Sequence, residues 1–186
     1  MKNLLHFVLI VFLHVFVSSC EKGRNDVDPL YEIGDIVNQG IVFYVDETGE
    51  HGLVVASEDL VGLYNWGCNL QNISGADGVA IGSGSQNTID IVADCNEVNT
   101  AALASSNIVI QDYTDWYLPS KDELLKMFSN IGQGSEIGNV GGFSDSWYWS
   151  SSESNELNAW ALGFDNGDME NAYKISKLRV RVIRAF

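Results

Sequence analysis

One segment fixes its own structure more tightly than any other part of the chain. It reads Trp116-Tyr117-Leu118-Pro119-Ser120-Lys121-Asp122-Glu123-Leu124-Leu125-Lys126-Met127-Phe128. Ser120 and Glu123 make an S-x-x-E capping box, in which each side chain satisfies a backbone N–H that the first helical turn leaves free. Pro119 and Leu124 stand at the two positions of a hydrophobic staple. Asp122 and Glu123 suit the positive end of a helix dipole. Leu124, Met127 and Phe128 recur at i, i+3 and i+4, which gives the helix one buried stripe. A carboxylate pair for acid–base chemistry is the other reading of Asp122 and Glu123. Capping already accounts for both.

Around this helix the sequence alternates between strands and loose connections. Gly34–Val37 leads into a β-branched and aromatic run, Gly40–Asp46, then a turn at 47–52 and a returning run, Leu53–Ser57, which together predict a hairpin. His51 falls in that turn. Residues 62–87 are rich in Gly, Ser and Asn, too long an irregular stretch to stand unless something pins it. Gly82-Ser83-Gly84 lacks the GK[ST] and the βαβ setting of a phosphate loop. Thr88 is placed to cap a short helix over Ile89–Ala93, and Glu97–Ala104 forms a second helical piece. Three strands follow at Trp147–Ser152, Ala159–Phe164 and beyond the tight turn Asp165–Asp168. The alternating run Lys177–Val182 forms the last strand, with a bulge where the pattern slips at Ile183-Arg184.

The first twenty residues bear on compartment. Leu4–Val17 is apolar apart from His6 and His14, shorter than the ~20 residues a membrane span needs and of the length of a signal-peptide core. Val17-Ser18-Ser19-Cys20 follows at once and resembles the lipobox of bacterial lipoproteins. This implies a signal peptide over 1–19, lipid on Cys20, and a flexible tether over 20–33 leading to one domain at 34–186. Two or more acyl chains anchor stably where one does not. The expected location is the bacterial cell envelope, with the lipid as the link to the membrane.

With Cys20 acylated, Cys68 and Cys95 remain. In an exported chain such a pair is most simply a disulfide, closing a loop of about 28 residues worth ~3.5 kcal/mol in the chain-entropy model. Two free thiols, one of them catalytic, are the alternative, but no neighbouring His is there to lower a thiol pKa.

Charge and histidine content narrow the function classes. The 186 residues carry a formal charge of −15, and no Lys or Arg occurs between Asn25 and Pro119. Nucleic acid, anionic lipid and sulfated glycans are therefore disfavoured partners. His51 alone remains outside the apolar leader, so a His-rich metal site or a Ser-His-Asp triad would rest on it. No cofactor is expected. Arg179 and Arg181 are expected to face solvent or to pair with carboxylates from the first half.

Three motifs, Asp115–Leu124, Tyr148–Glu153 and Val180–Phe186, in this order and spacing, resemble the Lcl C-terminal domain family. The hairpin Ile41–Ala56 and the stretch Ala80–Cys95 are similar to its longer lipoprotein members. The resemblance implies an α+β domain of C-type lectin-like fold, with small antiparallel sheets, flanking short helices and long irregular loops. It implies surface adhesion, after the family's eponym, and no catalytic residues. Formylglycine-generating enzymes share the fold and a similar helix start, but need a C-terminal cysteine pair, and no Cys follows Cys95.

The function expected is a non-catalytic, lipid-anchored module that binds a glycan or a protein. Its candidate contacts are Trp147, Trp149, Glu153, Asn155, Trp160, Asp165, Asn166 and Asp168. Indole faces stack on sugar rings, while Asp and Asn bind hydroxyls or, without further support here, calcium. A structural subunit of an envelope or surface assembly, without a small ligand, is the alternative.

Overall fold

In a computed structural model, residues 30–186 are described; the leader, Cys20 and the first part of the expected tether lie outside them. The elements are β1 (Ile36–Val37), β2 (Gly40–Val45), β3 (Gly52–Ala56), α1 (Gly84–Asp94), α2 (Ala101–Asn107), α3 (Lys121–Ile131), β4 (Trp147–Glu153), β5 (Asn158–Gly163), β6 (Met169–Tyr173) and β7 (Ile183–Ala185). They form an α+β domain with two antiparallel sheets, ordered β1-β2-β3-β7 and β4-β5-β6. Contacts with the domain are made from within the expected tether. Tyr31 stacks edge-on against Phe186 with ring centroids 4.8 Å apart.

Strands β2, β3 and β4 are buried on both faces, and this sets the layers. Val42, Val54, Trp149 and Ala161 point into one core, with Trp66, Ile91, Val180 and Val182. Phe43, Val55, Tyr148 and Leu162 point into the other, with Leu124, Met127, Ile131 and Phe164. Strand alternation divides the side chains between the two cores. The pairing of β2 with β3 shifts between Val42 and Tyr44, leaving Phe43 as the extra residue. Alternation with Ile41 sets the fully buried ring of Phe43 into the second core, and the bulge turns Tyr44 to the same side.

The capping box of α3 forms as expected. Ser120 Oγ accepts from Glu123 N, and Glu123 Oε2 accepts from Ser120 N at 2.6 Å. Glu123 also accepts from Gly82 N at 2.8 Å, so the cap fastens the irregular stretch to α3. Burial pushes its carboxyl above the usual range, and the N–H donors of Ser120, Gly82 and Gly84 pull it partly back.

The other two helices differ from expectation. Helix α1 begins four residues before Thr88, after Ser83, whose side chain makes no cap bond. Thr88 sits inside the helix, donates back to Gly84 O at 2.7 Å and accepts from Leu118 N at 3.1 Å. A hydroxyl spent on tertiary tethering cannot cap. Helix α2 starts after Thr100, whose Oγ1 accepts from Leu103 N, so the good helix formers at 101–104 open the helix rather than close it.

The run 177–182 is not a strand of either sheet. Its hydrogen bonds go to several partners: Leu178 with Tyr64, Arg179 with Trp147 and Trp149, Val180 with Leu60, and Val182 with Ala56. The alternation is real, but no single neighbour supplies a ladder. It works as a seam between the sheets, and β7 begins at Ile183, where a bulge was expected.

The irregular stretch is pinned as anticipated. A Cys68–Cys95 disulfide joins it to the end of α1, and Trp66 Nε1 donates to Ser150 O at 3.0 Å.

Candidate functional site

Two of the sequence-chosen residues, Glu153 and Asn155, come together where β4 turns into β5. They line a polar groove of about 380 Å³ with Asn72, Ser74, Asp77 and Ser154. Glu153 is nonetheless committed inward. Its carboxylate accepts from Ile73 N at 3.0 and 3.1 Å and from Lys174 Nζ at 2.5 Å. Lys174 is fully buried, donates also to Gln71 O at 2.6 Å and lies 4.6 Å from the centre of the Trp66 ring. Asn155 Oδ1 accepts from the N–H groups of Leu157 and Asn158, which shapes the turn.

The remaining candidates lie apart. Trp149 is fully buried, with Nε1 donating to Tyr64 O at 2.7 Å, and has no face to offer a ligand. Trp147 is half-buried against the first core. Trp160 is half-buried on β5, and Lys121 Nζ lies 3.7 Å above its ring. Asp165, Asn166 and Asp168 form the turn at the opposite end of β5 from Glu153. There Asn166 Nδ2 donates to Asp168 Oδ2 at 2.6 Å and Asp168 N to Asn166 Oδ1 at 3.0 Å. No single site unites these residues. The serines of the Tyr148–Glu153 motif are interior fasteners: Ser150 Oγ donates to Trp160 O, and Ser152 Oγ donates to Gly78 O while accepting from Lys121 N.

The buried charged groups are consumed by the fold. Arg181, buried, donates through Nε to Asp59 at 2.6 Å and through Nη1 to Ala56 O and Gly141 O. Arg179 adds a second contact to Asp59 at 3.1 Å. Both arginines thus pair with a carboxylate from the first half, as the sequence leads one to expect. His51 is exposed in its turn. Among the described residues, no three His, Cys, Asp or Glu side chains are grouped to hold a metal. No described helix is long and apolar enough to cross a membrane.

A second groove was not among the sequence candidates. Ser85, Thr88, Ile89, Val92 and Ala93 of α1, Ser106 of α2 and residues 114–117 enclose about 490 Å³ of open trough. Its walls are mostly apolar, and Ile89 and Val92 remain 57% and 36% exposed while Ile91, on the opposite side of the helix, is buried. Asp115 supplies the one charged side chain of the lining. Arg184 grips it bidentately, Nε at 2.8 Å and Nη2 at 3.0 Å, and this pairing holds the Asp115 carboxyl below the usual range. The Arg184 side chain is 9% exposed and stacks on Tyr113, whereas that of Asp115 is 57% exposed. Trp116 Nε1 and Arg184 Nη1 are buried without a hydrogen-bond partner. Burial, reinforced by the charges of Glu123 and Asp115, raises the Tyr117 phenol well above its ordinary value and keeps it protonated. The signal for this groove was Ile89-Asp90-Ile91-Val92-Ala93 itself. Those apolar residues spread round too much of the helix to be covered by one core.

Known proteins give this geometry a context. No curated protein matches the chain. Among solved structures, a fimbrial protein from Bacteroides ovatus matches with a TM-score of 0.50 and 16% identity, over 77% of this chain and 43% of that one. The chain thus spans under half the length of that structure, and the likeness is one of fold. The likeness is to a fimbrial protein and not to a C-type lectin, so the α+β, two-sheet part of the expected fold stands without its lectin part. The model of the Lcl C-terminal domain family matches residues 59–184, which takes in the capping box, the serine-rich strand and the arginine seam, and the chain belongs to that family.

Proposed function

We propose that this protein is a lipid-anchored, non-catalytic surface module of the bacterial envelope, with a binding or adhesive role toward a glycan or a protein. The observation that carries the reading is the fate of its buried ionisable groups. Glu123 caps a helix, Glu153 holds Lys174, Asp59 holds Arg181 and Arg179, and Asp115 holds Arg184. A catalyst needs convergent titratable groups free to act on a substrate, and here the buried ones are spent on architecture. Family membership and a fold shared with a protein titled as fimbrial support a surface role. The apolar leader ending at Cys20 supports lipid anchoring at that residue, with the mature chain starting there. The lectin-like kinship implied by the resemblance has one supporting feature, the N- and C-terminal strands sharing a sheet.

Mass spectrometry of the native protein tests the anchor, with an acylated Cys20 amino terminus expected. An uncleaved, unacylated terminus in the cytosol would refute it. Protease treatment of intact cells tests exposure of the domain. A glycan array with calcium titration, run beside a protein pull-down, tests what is bound.

The second reading, a subunit of a surface assembly, is favoured by β6. That strand is the outer edge of its sheet, and Tyr173 and Ile175 are exposed along and just beyond it.

A further inference from the structure

We infer that the trough between α1, α2 and residues 114–117 is a docking site for a polypeptide segment of a partner protein, one that presents apolar side chains next to Lys or Arg. This deepens the proposed binding role by naming the site and the chemistry of its occupant.

Shape and polarity indicate a polypeptide. Small-molecule sites enclose most of their ligand. This trough is open, with Ile89 and Val92 half in water, and it can cover only one side of what lies in it. Of the five hydroxyl-bearing residues in its lining, Thr88 and Ser106 are already engaged, Thr88 Oγ1 with Gly84 O and Leu118 N, Ser106 Oγ with Leu103 O. A sugar would lie against a mostly apolar wall, with the hydroxyls of Ser85 and Thr114 at its margin, whereas aliphatic or aromatic side chains would cover Ile89, Val92 and Ala93.

Charge selects the partner. The charged lining group that solvent meets is the Asp115 carboxylate, with Arg184 tucked behind it between Tyr113 and Trp116. The trough is built from residues 85–117, within the tract from Asn25 to Pro119 that holds no Lys or Arg. An approaching segment thus meets an acidic field, and cations beside its apolar residues are complementary to it. The same field disfavours a second copy of this chain, since groove against groove would set one exposed Asp115 carboxylate near another, with Arg184 largely buried behind each.

Peptide display against the full-length chain in mild detergent tests this, with synthetic versions of the enriched peptides as the probes. Enriched peptides should pair aliphatic or aromatic residues with Lys or Arg. Ile89→Asp and Val92→Asp, at exposed helix positions, should each weaken the synthetic peptides about tenfold or more, the loss expected for burying a charge where apolar area was covered. Asp115→Asn should weaken them roughly threefold and flatten the salt dependence, as rim charges do. Circular dichroism of each variant confirms that the fold survives. Three results would overturn the inference. These are no enrichment, enrichment of acidic or uncharged peptides, and peptides whose affinity ignores the α1 variants. A concentration-dependent dimer abolished by Ile89→Asp would also overturn it, in favour of a second copy. Peptides that bind but ignore α1 would leave the general binding role standing and remove only this site.

Discussion

The two grooves of this domain are opposites in how their side chains are used. The polar one, at the β4–β5 turn, is lined by groups that invite a functional reading, yet its central carboxylate is occupied by Lys174 Nζ and Ile73 N. The apolar one, beside α1, is lined by residues of no evident chemistry, yet Ile89 and Val92 stay in water and two buried N–H groups near Asp115 stay unpaired. Residue type alone pointed to the first. Hydrogen-bond accounting points to the second, because a polar group already satisfied inside a protein has little left to give a ligand.

The contrast can be broken most forcefully at Glu153. Glu153→Ala should destabilise the domain by about 3–5 kcal/mol, since it strands a fully buried ammonium. Chemical denaturation would show this, and adding Lys174→Met should recover much of the loss. A Glu153→Ala protein of near-normal stability that merely lost a ligand would make the polar groove functional after all.

Removing the Cys68–Cys95 bridge by a double serine substitution should cost ~3.5 kcal/mol, because the bridge closes a loop through the irregular stretch that also walls the polar groove. Urea midpoints with and without reductant would report it.

A smaller effect is a slope in pH. Because burial raises the folded-state pKa of Glu123 above its ordinary 4.5, the fold holds its proton more tightly than the unfolded chain does. Glu123 therefore favours folding most in acid, and its contribution declines as pH rises from about 4.5 through the folded value. Asp115, held low by Arg184, acts in the opposite direction and loses its contribution only as pH falls below the ordinary 3.8 through its folded value. Glu123→Gln should remove the decline and leave the loss in stronger acid. An unchanged stability–pH curve would show that the buried cap is not the source.

The smallest effect belongs to the apolar groove. Ile89→Ser should change stability by no more than about 0.5 kcal/mol, since the residue stands at the surface. A loss of several kcal/mol would mean that Ile89 is a packing residue, and the difference between the grooves would shrink.

Local signals were legible where a few neighbouring residues satisfy one another. The capping box at Ser120 and Glu123 formed as read, because its donors and acceptors lie three residues apart. The hairpin of β2 and β3 and the antiparallel succession β4–β6 followed from alternation and turn residues. Thr88 was misread because its partner, Leu118, is thirty residues away, and a tertiary bond outweighed its propensity to cap. The seam at 177–182 kept its alternation but not its ladder, for a strand is defined by a neighbour the sequence does not name.

The sequence by itself determined the succession of elements, the family, the cysteine pair available for a bridge and the distribution of charge along the chain. Tertiary structure alone decided which acids and bases were neutralised by one another and which apolar side chains of α1 were left outside the two cores. The reason is that satisfaction and burial depend on distances between residues far apart in the chain, which only the folded arrangement sets.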